Sequence, residues 1–274
     1  MKQGNTSSAV MAQRAPADVE SDDAQTKLWR ALEFFPTPPW AARAGAEIVK
    51  FLDPRAKTIW EPACGEGHMA AAIGENAKWT VFATDIHQFD AGYETNDFLG
   101  PDCYRPHRVD WIITNPPFRT AAEFVRKGLT IAGRGVAVLC RLAFLESAER
   151  FDLLFRSEHP LSHCAYFSER VPMTLGRWSP KASSATAYAW FFFDKEWPRL
   201  RSPELIAIPP GTRARLSRPE DVHRFAKRSE TPLFNNSRVE PSPASAEREK
   251  AAPAWDSSAG AAALADTAPV VGHT

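Results

Sequence analysis

The chain has 274 residues, and its 33 basic and 33 acidic side chains balance to a net charge of zero. This length accommodates one sizeable domain, and the balance excludes a strong overall attraction to nucleic acid while leaving room for a local basic patch. No apolar run approaches the roughly 18 residues of a membrane span, and the first residues lack an apolar signal-peptide core. We therefore expect a cytoplasmic protein with no membrane contact.

The spacing of the cysteines also favours a cytoplasmic protein. None of the four cysteines is separated from another by C-x-x-C spacing; they are Cys64, Cys103, Cys140 and Cys164. The pattern predicts reduced thiols, with neither a disulfide framework nor a zinc or other metal site.

The chain begins with a polar segment, residues 1–28, that we expect to be flexible, and an ordered domain is predicted over 29–198. Near its start, the Pro-rich stretch 34–40 precedes a helical pattern over 41–51, a placement typical of helix entry. A predicted strand, 58–63, then leads into a loop with Gly65 and Gly67. Glycine there permits positive φ values and close backbone approach to a ligand.

A second β-rich run, 80–85, ends in Asp85. A carboxylate at the end of the second strand of a dinucleotide-binding fold accepts hydrogen bonds from ribose hydroxyls. The separation in sequence between Gly67 and Asp85 fits that arrangement. Asp85 is therefore a candidate ligand for a nucleoside.

The third predicted strand, 109–115, is followed by Pro116, Pro117 and Phe118. Two prolines cannot continue a β-ladder, so the chain leaves the sheet at the carboxyl end of the strand, where open α/β folds bind ligands. Asn115 offers a carboxamide acceptor there and Phe118 a flat apolar face. The combination favours a planar ring that carries an amino group.

The remaining elements alternate between helix and strand, with helices over 120–132 and 147–159. Further strands are predicted at 135–142, 162–168 and 186–193. This alternation predicts an α/β fold with a doubly wound, mainly parallel sheet.

Three later segments differ in character. The loop after residue 176 combines an aromatic with two cations, which suits a phosphate backbone and an exposed base; these candidate substrate-binding residues are Arg177, Trp178 and Lys181. Residues 199–228 form a basic C-terminal extension. The tail 229–274, rich in Ala, Ser, Pro and Glu, is expected to be disordered.

Four segments resemble, in the same order, the motifs of amino-methylating class I methyltransferases that use S-adenosylmethionine. They are Phe35-Pro36-Thr37, the acidic-Pro-x-x-Gly-x-Gly run 61–67, Asp97-Phe98, and Asn115-Pro116-Pro117-Phe118. The resemblance covers about residues 33–195 and is to compact, phage- or prophage-type DNA adenine methyltransferases. It implies a Rossmann-like methyltransferase fold with seven strands and a C-terminal antiparallel hairpin.

The resemblance also implies which residues act. Those that contact S-adenosylmethionine are Phe35, Pro36, Thr37, Glu61, Pro62, Ala63, Cys64, Gly65, Gly67, Asp85, Ile86, Asp97 and Phe98. In the catalytic motif, the Asn115 oxygen and the Pro116 carbonyl accept the two N–H groups of the target amine, and Phe118 stacks on the flipped base. The expected reaction is N6-adenine methylation of DNA.

One departure bears on the target. No large independent target-recognition domain is visible, which favours narrow or weak site specificity or a substrate other than duplex DNA. Three alternatives stay open: an RNA adenine methyltransferase, a protein glutamine methyltransferase, and a non-catalytic module that binds the cofactor or nucleic acid. The intact segment from Asn115 to Phe118 speaks against the last.

Overall fold

A computed structural model of the protein describes residues 23–226. Its α-helices are α1 (Ala24–Leu32), α2 (Pro39–Leu52), α3 (His68–Ile73), α4 (Ala121–Ile131), α5 (Phe151–Phe155), α6 (Thr212–Leu216) and α7 (Glu220–Phe225). Its strands are β1 (Thr58–Glu61), β2 (Thr80–Asp85), β3 (Glu94–Thr95), β4 (Trp111–Thr114), β5 (Gly135–Arg141), β6 (His163–Phe167), β7 (Tyr188–Asp194) and β8 (Glu204–Ile208). The expected disorder of the tail 229–274, and most of the expected flexible N-terminal segment, lie outside the described residues.

The strands form one sheet in the order β3-β2-β1-β4-β5-β7-β6-β8. Strands β1 to β5 pair in parallel, whereas β7 runs antiparallel to both β5 and β6. The predicted mainly parallel sheet with a C-terminal antiparallel hairpin is confirmed. The predicted count of seven strands is wrong, because β8 adds an eighth by pairing in parallel with β6. Only Ile208 of β8 is buried, as expected of an edge strand, although residues 205–208 are all apolar.

Both faces of the sheet are covered by helices, as a doubly wound fold requires. One face packs against α2 and α3 through side chains that include Trp111, Trp190 and Phe192. The opposite face packs against α4 and α5 through Ile112 and Phe191. Successive residues of β7 thus enter opposite layers, which explains why this strand is a continuous apolar run.

Two helical regions differ from the sequence prediction. Helix α1 was not expected; it begins after Asp23, whose side chain accepts a hydrogen bond from the Thr26 amide at 2.6 Å, a cap that stabilises a short polar helix. The helix predicted over 147–159 is shorter, with a 3-10 turn at Ala148–Arg150 followed by α5. Its first turn is capped by the predicted Ser147.

The basic segment after residue 198 is part of the packed domain and not a separate extension. It contributes β8, α6 and α7, and α6 packs on α2. Arg43 of α2 is buried and donates two hydrogen bonds to Asp221 of α7, at 2.6 and 2.8 Å, and two to Glu75, at 2.7 and 2.9 Å. This ionic cluster fixes α7 against α2.

Most cations of this segment are also engaged within the domain. Arg201 pairs with Glu204 of β8, and Arg215 pairs with Glu47 of α2 at 2.7 Å. The further ion pairs to Glu75 come from Arg218 and Arg224, at 3.1 and 2.7 Å. The positive charge read from the sequence is therefore largely neutralised by neighbouring carboxylates.

Candidate functional site

A cleft lies at the sheet edge where the carboxyl ends of β1, β2 and β4 meet. It contains about 910 Å³ of space free of protein atoms, part of it open to solvent. The predicted site residues that line it are Phe35, Pro36, Thr37, Glu61, Pro62, Ala63, Cys64, Gly65, Asp85, Ile86, Asp97, Phe98, Asn115 and Pro117. Gly67, Pro116 and Phe118 belong to the same loops but do not line the cleft.

The loop after β1 depends on its two glycines. Gly65 and Gly67 have φ values of 55° and 81°, in the left-handed region that favours glycine. A Cβ atom on Gly65 would lie 2.5 Å from the Phe34 ring, and one on Gly67 would lie 2.2 Å from the Tyr93 ring. Aromatic rings therefore press directly on the loop backbone, which fixes the turn from β1 into α3.

Asp85 holds this loop against the end of β2. Its two carboxylate oxygens accept hydrogen bonds from the Gly65 amide at 2.8 Å and the His87 amide at 2.9 Å. Burial raises the pKa of Asp85 despite these bonds. Each oxygen keeps a further acceptor position. The next residue, Ile86, lines the cleft with 56% of its surface exposed, so an apolar surface stands beside the carboxylate.

Glu61 is the most deeply buried acid of the cleft, at 1% exposure. Burial, together with the nearby charge of Asp85, raises its pKa well above the ordinary value of 4.5. Its Oε2 atom has no hydrogen-bond partner within residues 23–226. A buried carboxylate oxygen without a partner is costly, so this position favours a ligand that brings a cation or a hydrogen-bond donor.

Asn115 at the end of β4 presents a single free acceptor. Its Nδ2 donates to the backbone oxygen of Phe35 at 2.8 Å. Its Oδ1 is buried and accepts no hydrogen bond from the part of the chain that the structure describes. The bond to Phe35 fixes the orientation of the amide and leaves Oδ1 as the unsatisfied group.

Phe118 lies in an aromatic cluster beside the cleft. Its ring centroid is 5.6 Å from that of Phe35 and 6.0 Å from that of Tyr188. The guanidinium of Arg141 lies 4.6 Å from the Phe118 ring centroid. The expectation that Phe118 offers an open face to a base therefore needs correction, because a cation already covers part of the ring.

The segment from α1 to Pro36 crosses the cleft and is tied down at several points. Glu33 accepts a hydrogen bond from the Arg119 amide at 3.0 Å, and the Phe34 carbonyl accepts one from the Gly176 amide at 2.8 Å. Glu33 has a φ of 51°, which turns the chain at the end of α1. These contacts were not predicted, since nothing local in the sequence pairs Glu33 with Arg119.

The predicted substrate loop is only partly exposed. Arg177 and Lys181 are exposed, whereas Trp178 is 8% exposed and packs edge-on against Phe225 at 6.5 Å. The indole therefore belongs to the core and does not stack on an exposed base. None of the three residues lines the cleft.

Two kinds of feature are absent from residues 23–226. No group of three or more His, Cys, Asp or Glu side chains in this range is arranged to hold a metal ion. No helix of the described region combines the length and the apolar character that crossing a bilayer requires.

No protein-family model matches the sequence, and no curated protein matches it. Solved structures are similar to it, with low identity. One is a proposed RNA methyltransferase from Pyrococcus horikoshii, with a TM-score of 0.45 and 20% identity over 61% of this chain and 89% of that one. The methyltransferase subunit of a type I restriction-modification system from Streptococcus thermophilus has a TM-score of 0.41 and 11% identity, over 58% of this chain and 44% of that one.

A third similar structure is the O-methyltransferase from Bacillus cereus in complex with S-adenosylhomocysteine. It has a TM-score of 0.41 and 9% identity, over 65% of this chain and 94% of that one. The chain thus spans less than half of the restriction subunit and most of the other two proteins. Strand order and hairpin direction define the fold as a Rossmann-like methyltransferase fold.

Proposed function

We propose that this chain is an S-adenosylmethionine-dependent methyltransferase that methylates an exocyclic amine, N6 of adenine in DNA. The observation that carries the proposal is the buried Oδ1 of Asn115, which has no partner within residues 23–226 and lies at the carboxyl end of a central strand. An acceptor held in this way is complementary to an N–H donor on the substrate. The order of the four sequence motifs supports adenine as the target.

The proposed chemistry needs positioning more than basicity. The lone pair of an aromatic amine is delocalised into the ring, which makes the nitrogen a poor nucleophile. When Asn115 Oδ1 and the Pro116 carbonyl each accept one N–H, the nitrogen approaches tetrahedral geometry and its lone pair becomes available. The bond from Nδ2 to Phe35 prevents the amide from rotating, so the acceptor is preorganised.

The residues of the cleft fit S-adenosylmethionine, which when bound supplies an electrophilic methyl group. The unpartnered Oε2 of Glu61 suits the ammonium of its methionine part. Asp85 has acceptor positions for ribose hydroxyls, and the exposed side chain of Ile86 offers an apolar surface to adenine. The positive φ of Gly65 turns the loop so that it lines the cleft.

Glu61→Gln should weaken cofactor binding and reduce its pH dependence. Because the pKa of Glu61 is raised above 4.5, the carboxylate forms only as pH rises through that raised value, and a cationic ligand prefers the carboxylate. Wild-type affinity, measured by calorimetry across a pH series, should therefore increase with pH. The variant should show a flatter profile, in which only the titration of Asp85 remains of these two acids, and about tenfold weaker binding at the upper end.

The same substitution should stabilise the ligand-free protein. A carboxyl whose folded pKa is raised binds more protons in the folded state, so its contribution to stability falls as pH rises from 4.5 through the raised pKa. Urea unfolding should show that this fall is smaller in Glu61→Gln. Glu94→Gln, on the exposed strand β3, is the matched control and should alter neither profile. Equal cofactor affinity of Glu61→Gln and wild type at every pH would contradict the role given to Glu61.

The substrate can be tested with methyl-labelled S-adenosylmethionine. Wild type and Asn115→Ala would be incubated in parallel with duplex DNA, single-stranded DNA, total RNA and protein extract, the DNA taken from cells that lack adenine methylation. Nucleoside analysis should find the label as N6-methyladenine in DNA, and the Asn115→Ala reaction should lack it.

The other outcomes separate the alternatives. Label in RNA adenine or in protein glutamine would keep the chemistry of Asn115 and overturn the choice of substrate. Cofactor binding without label in any polymer would overturn the enzymatic proposal and favour a binding module.

A further inference from the structure

Arg141 stands at the carboxyl end of β5, beside the proposed acceptor site, and its side chain is exposed. Its guanidinium lies 4.6 Å from the centroid of the Phe118 ring. Tyr188 is the partner of Arg141 across the β5–β7 pair, and its ring centroid lies 6.0 Å from that of Phe118. The Phe118 ring therefore holds an exposed cation next to the catalytic loop.

The surroundings of Arg141 leave its charge available. None of the ion pairs among residues 23–226 involves Arg141, in contrast to the neutralised arginines after residue 198. A guanidinium stacked on a ring keeps its N–H donors in its own plane, where they can bind a phosphate in a bidentate manner. The loss of side-chain entropy on binding is reduced, because the stacking already restricts the side chain.

A base that enters the cleft remains attached to a backbone that does not. An enzyme that acts on an extruded base binds the phosphates on either side at the rim of its pocket. We infer that Arg141 binds a backbone phosphate of the DNA strand that carries the target adenine, an inference that rests on the proposed function. Arg141 would thereby position the nucleotide while Asn115 holds the amine.

The test compares how tightly Arg141→Gln and wild type bind a fluorescent DNA fragment. The fragment is duplex or single-stranded, whichever form the enzyme methylates in the labelling experiment. Anisotropy titrations over a range of salt concentrations should show that the salt-dependence slope falls by about one. At about 0.1 M salt the variant should bind about tenfold more weakly. The KM for DNA should rise, with a smaller change in kcat.

Two further variants show whether the effect belongs to this position and to the guanidinium itself. Arg126→Gln removes the same charge from the outer surface of α4, where Arg126 is 49% exposed and pairs with Glu123, and it should leave the slope and KM unchanged. Arg141→Lys keeps the charge without the planar donors, and its affinity should fall between those of wild type and Arg141→Gln.

The outcomes distinguish this inference from the proposed function. If Arg141→Gln lowers kcat but leaves the salt slope unchanged, Arg141 supports only the packing of Phe118 and the inference is overturned, while DNA methylation stands. If wild type neither binds nor methylates DNA of either form, the proposed function and the inference fall together.

Discussion

Asn115→Ala should lower kcat for methyl transfer by at least about 100-fold, the effect typical of removing a preorganised group that stabilises a transition state. The alanine lacks Oδ1, the buried acceptor for which no partner exists among residues 23–226. Cofactor affinity should fall much less, since the bond from Nδ2 to Phe35 is only one of several contacts that hold the N-terminal segment. Single-turnover kinetics and calorimetry measure the two effects separately.

Asn115→Asp is the matched variant, because it keeps an acceptor oxygen and loses the donor. Its second oxygen would face the carbonyl oxygen of Phe35, which now accepts the Nδ2 bond at 2.8 Å. Two acceptors in this position repel each other, so cofactor binding should weaken. The aspartate should nevertheless retain more of kcat than the alanine does. An Asn115→Ala enzyme with a near-normal kcat would show that this acceptor does not act in the reaction.

The cleft was largely predictable because its determinants are local. A strand that ends in Asp85 or Asn115 places that side chain at the carboxyl edge of a parallel sheet, whichever partners surround it. The positive φ values of Gly65 and Gly67 are likewise consistent with residue type alone. Periodicity and turn chemistry specify these features within a few residues of sequence.

The contacts that close the site were not predictable in the same way. Glu33 meets Arg119, and Arg141 meets Phe118, only because distant segments pack together. Trp178, which was predicted to bind substrate, is buried instead. In the sequence it stands between Arg177 and Ser179 in a polar loop, yet the chain folds it against Phe225 of α7, a partner far away in sequence.

The predicted C-terminal boundary of the domain, at residue 198, was misplaced for a related reason. Charge composition suggested a basic surface after residue 198, but composition does not show where the counter-charges lie. Arg43 is one of two cations in α2, and its partners Glu75 and Asp221 are distant in sequence. The burial of this cluster makes the segment part of the domain.

Arg43→Met should destabilise the protein by about 3–5 kcal/mol, the effect of breaking a buried ion pair, because Asp221 loses the side chain that pairs with it. Glu75 keeps its pairs with Arg218 and Arg224. The side chain of Arg43 is 6% exposed, and those of Glu75 and Asp221 are 15% and 4% exposed. Methionine fills much of the space and supplies no donor. The free energy of unfolding, from urea titration at neutral pH, measures the loss.

The dependence on pH identifies the cause. Burial disfavours the charge of Asp221 and Glu75, yet the hydrogen bonds from Arg43, with further ones from the Arg218 amide to Asp221 and from Arg224 to Glu75, outweigh it and hold both pKa values below their ordinary values of 3.8 and 4.5. The stabilisation is therefore complete above pH 4.5 and is lost as pH falls through the lowered pKa values. The difference in the free energy of unfolding between wild type and Arg43→Met should narrow over that pH range.

Arg215→Met is the matched control, because Arg215 joins the same helix α2 to the C-terminal segment through an exposed pair with Glu47. Pairs of this kind contribute about 0–1 kcal/mol, so the control should remain close to wild type at every pH.

Helix α7 also contacts the cofactor loop. The ring of His68, beside the Gly-x-Gly loop, packs against Phe225 of α7 with 5.2 Å between the ring centroids. Loss of the Arg43 cluster should therefore also weaken cofactor binding. Equal free energies of unfolding for Arg43→Met and Arg215→Met would show that α7 is held by its apolar contacts alone.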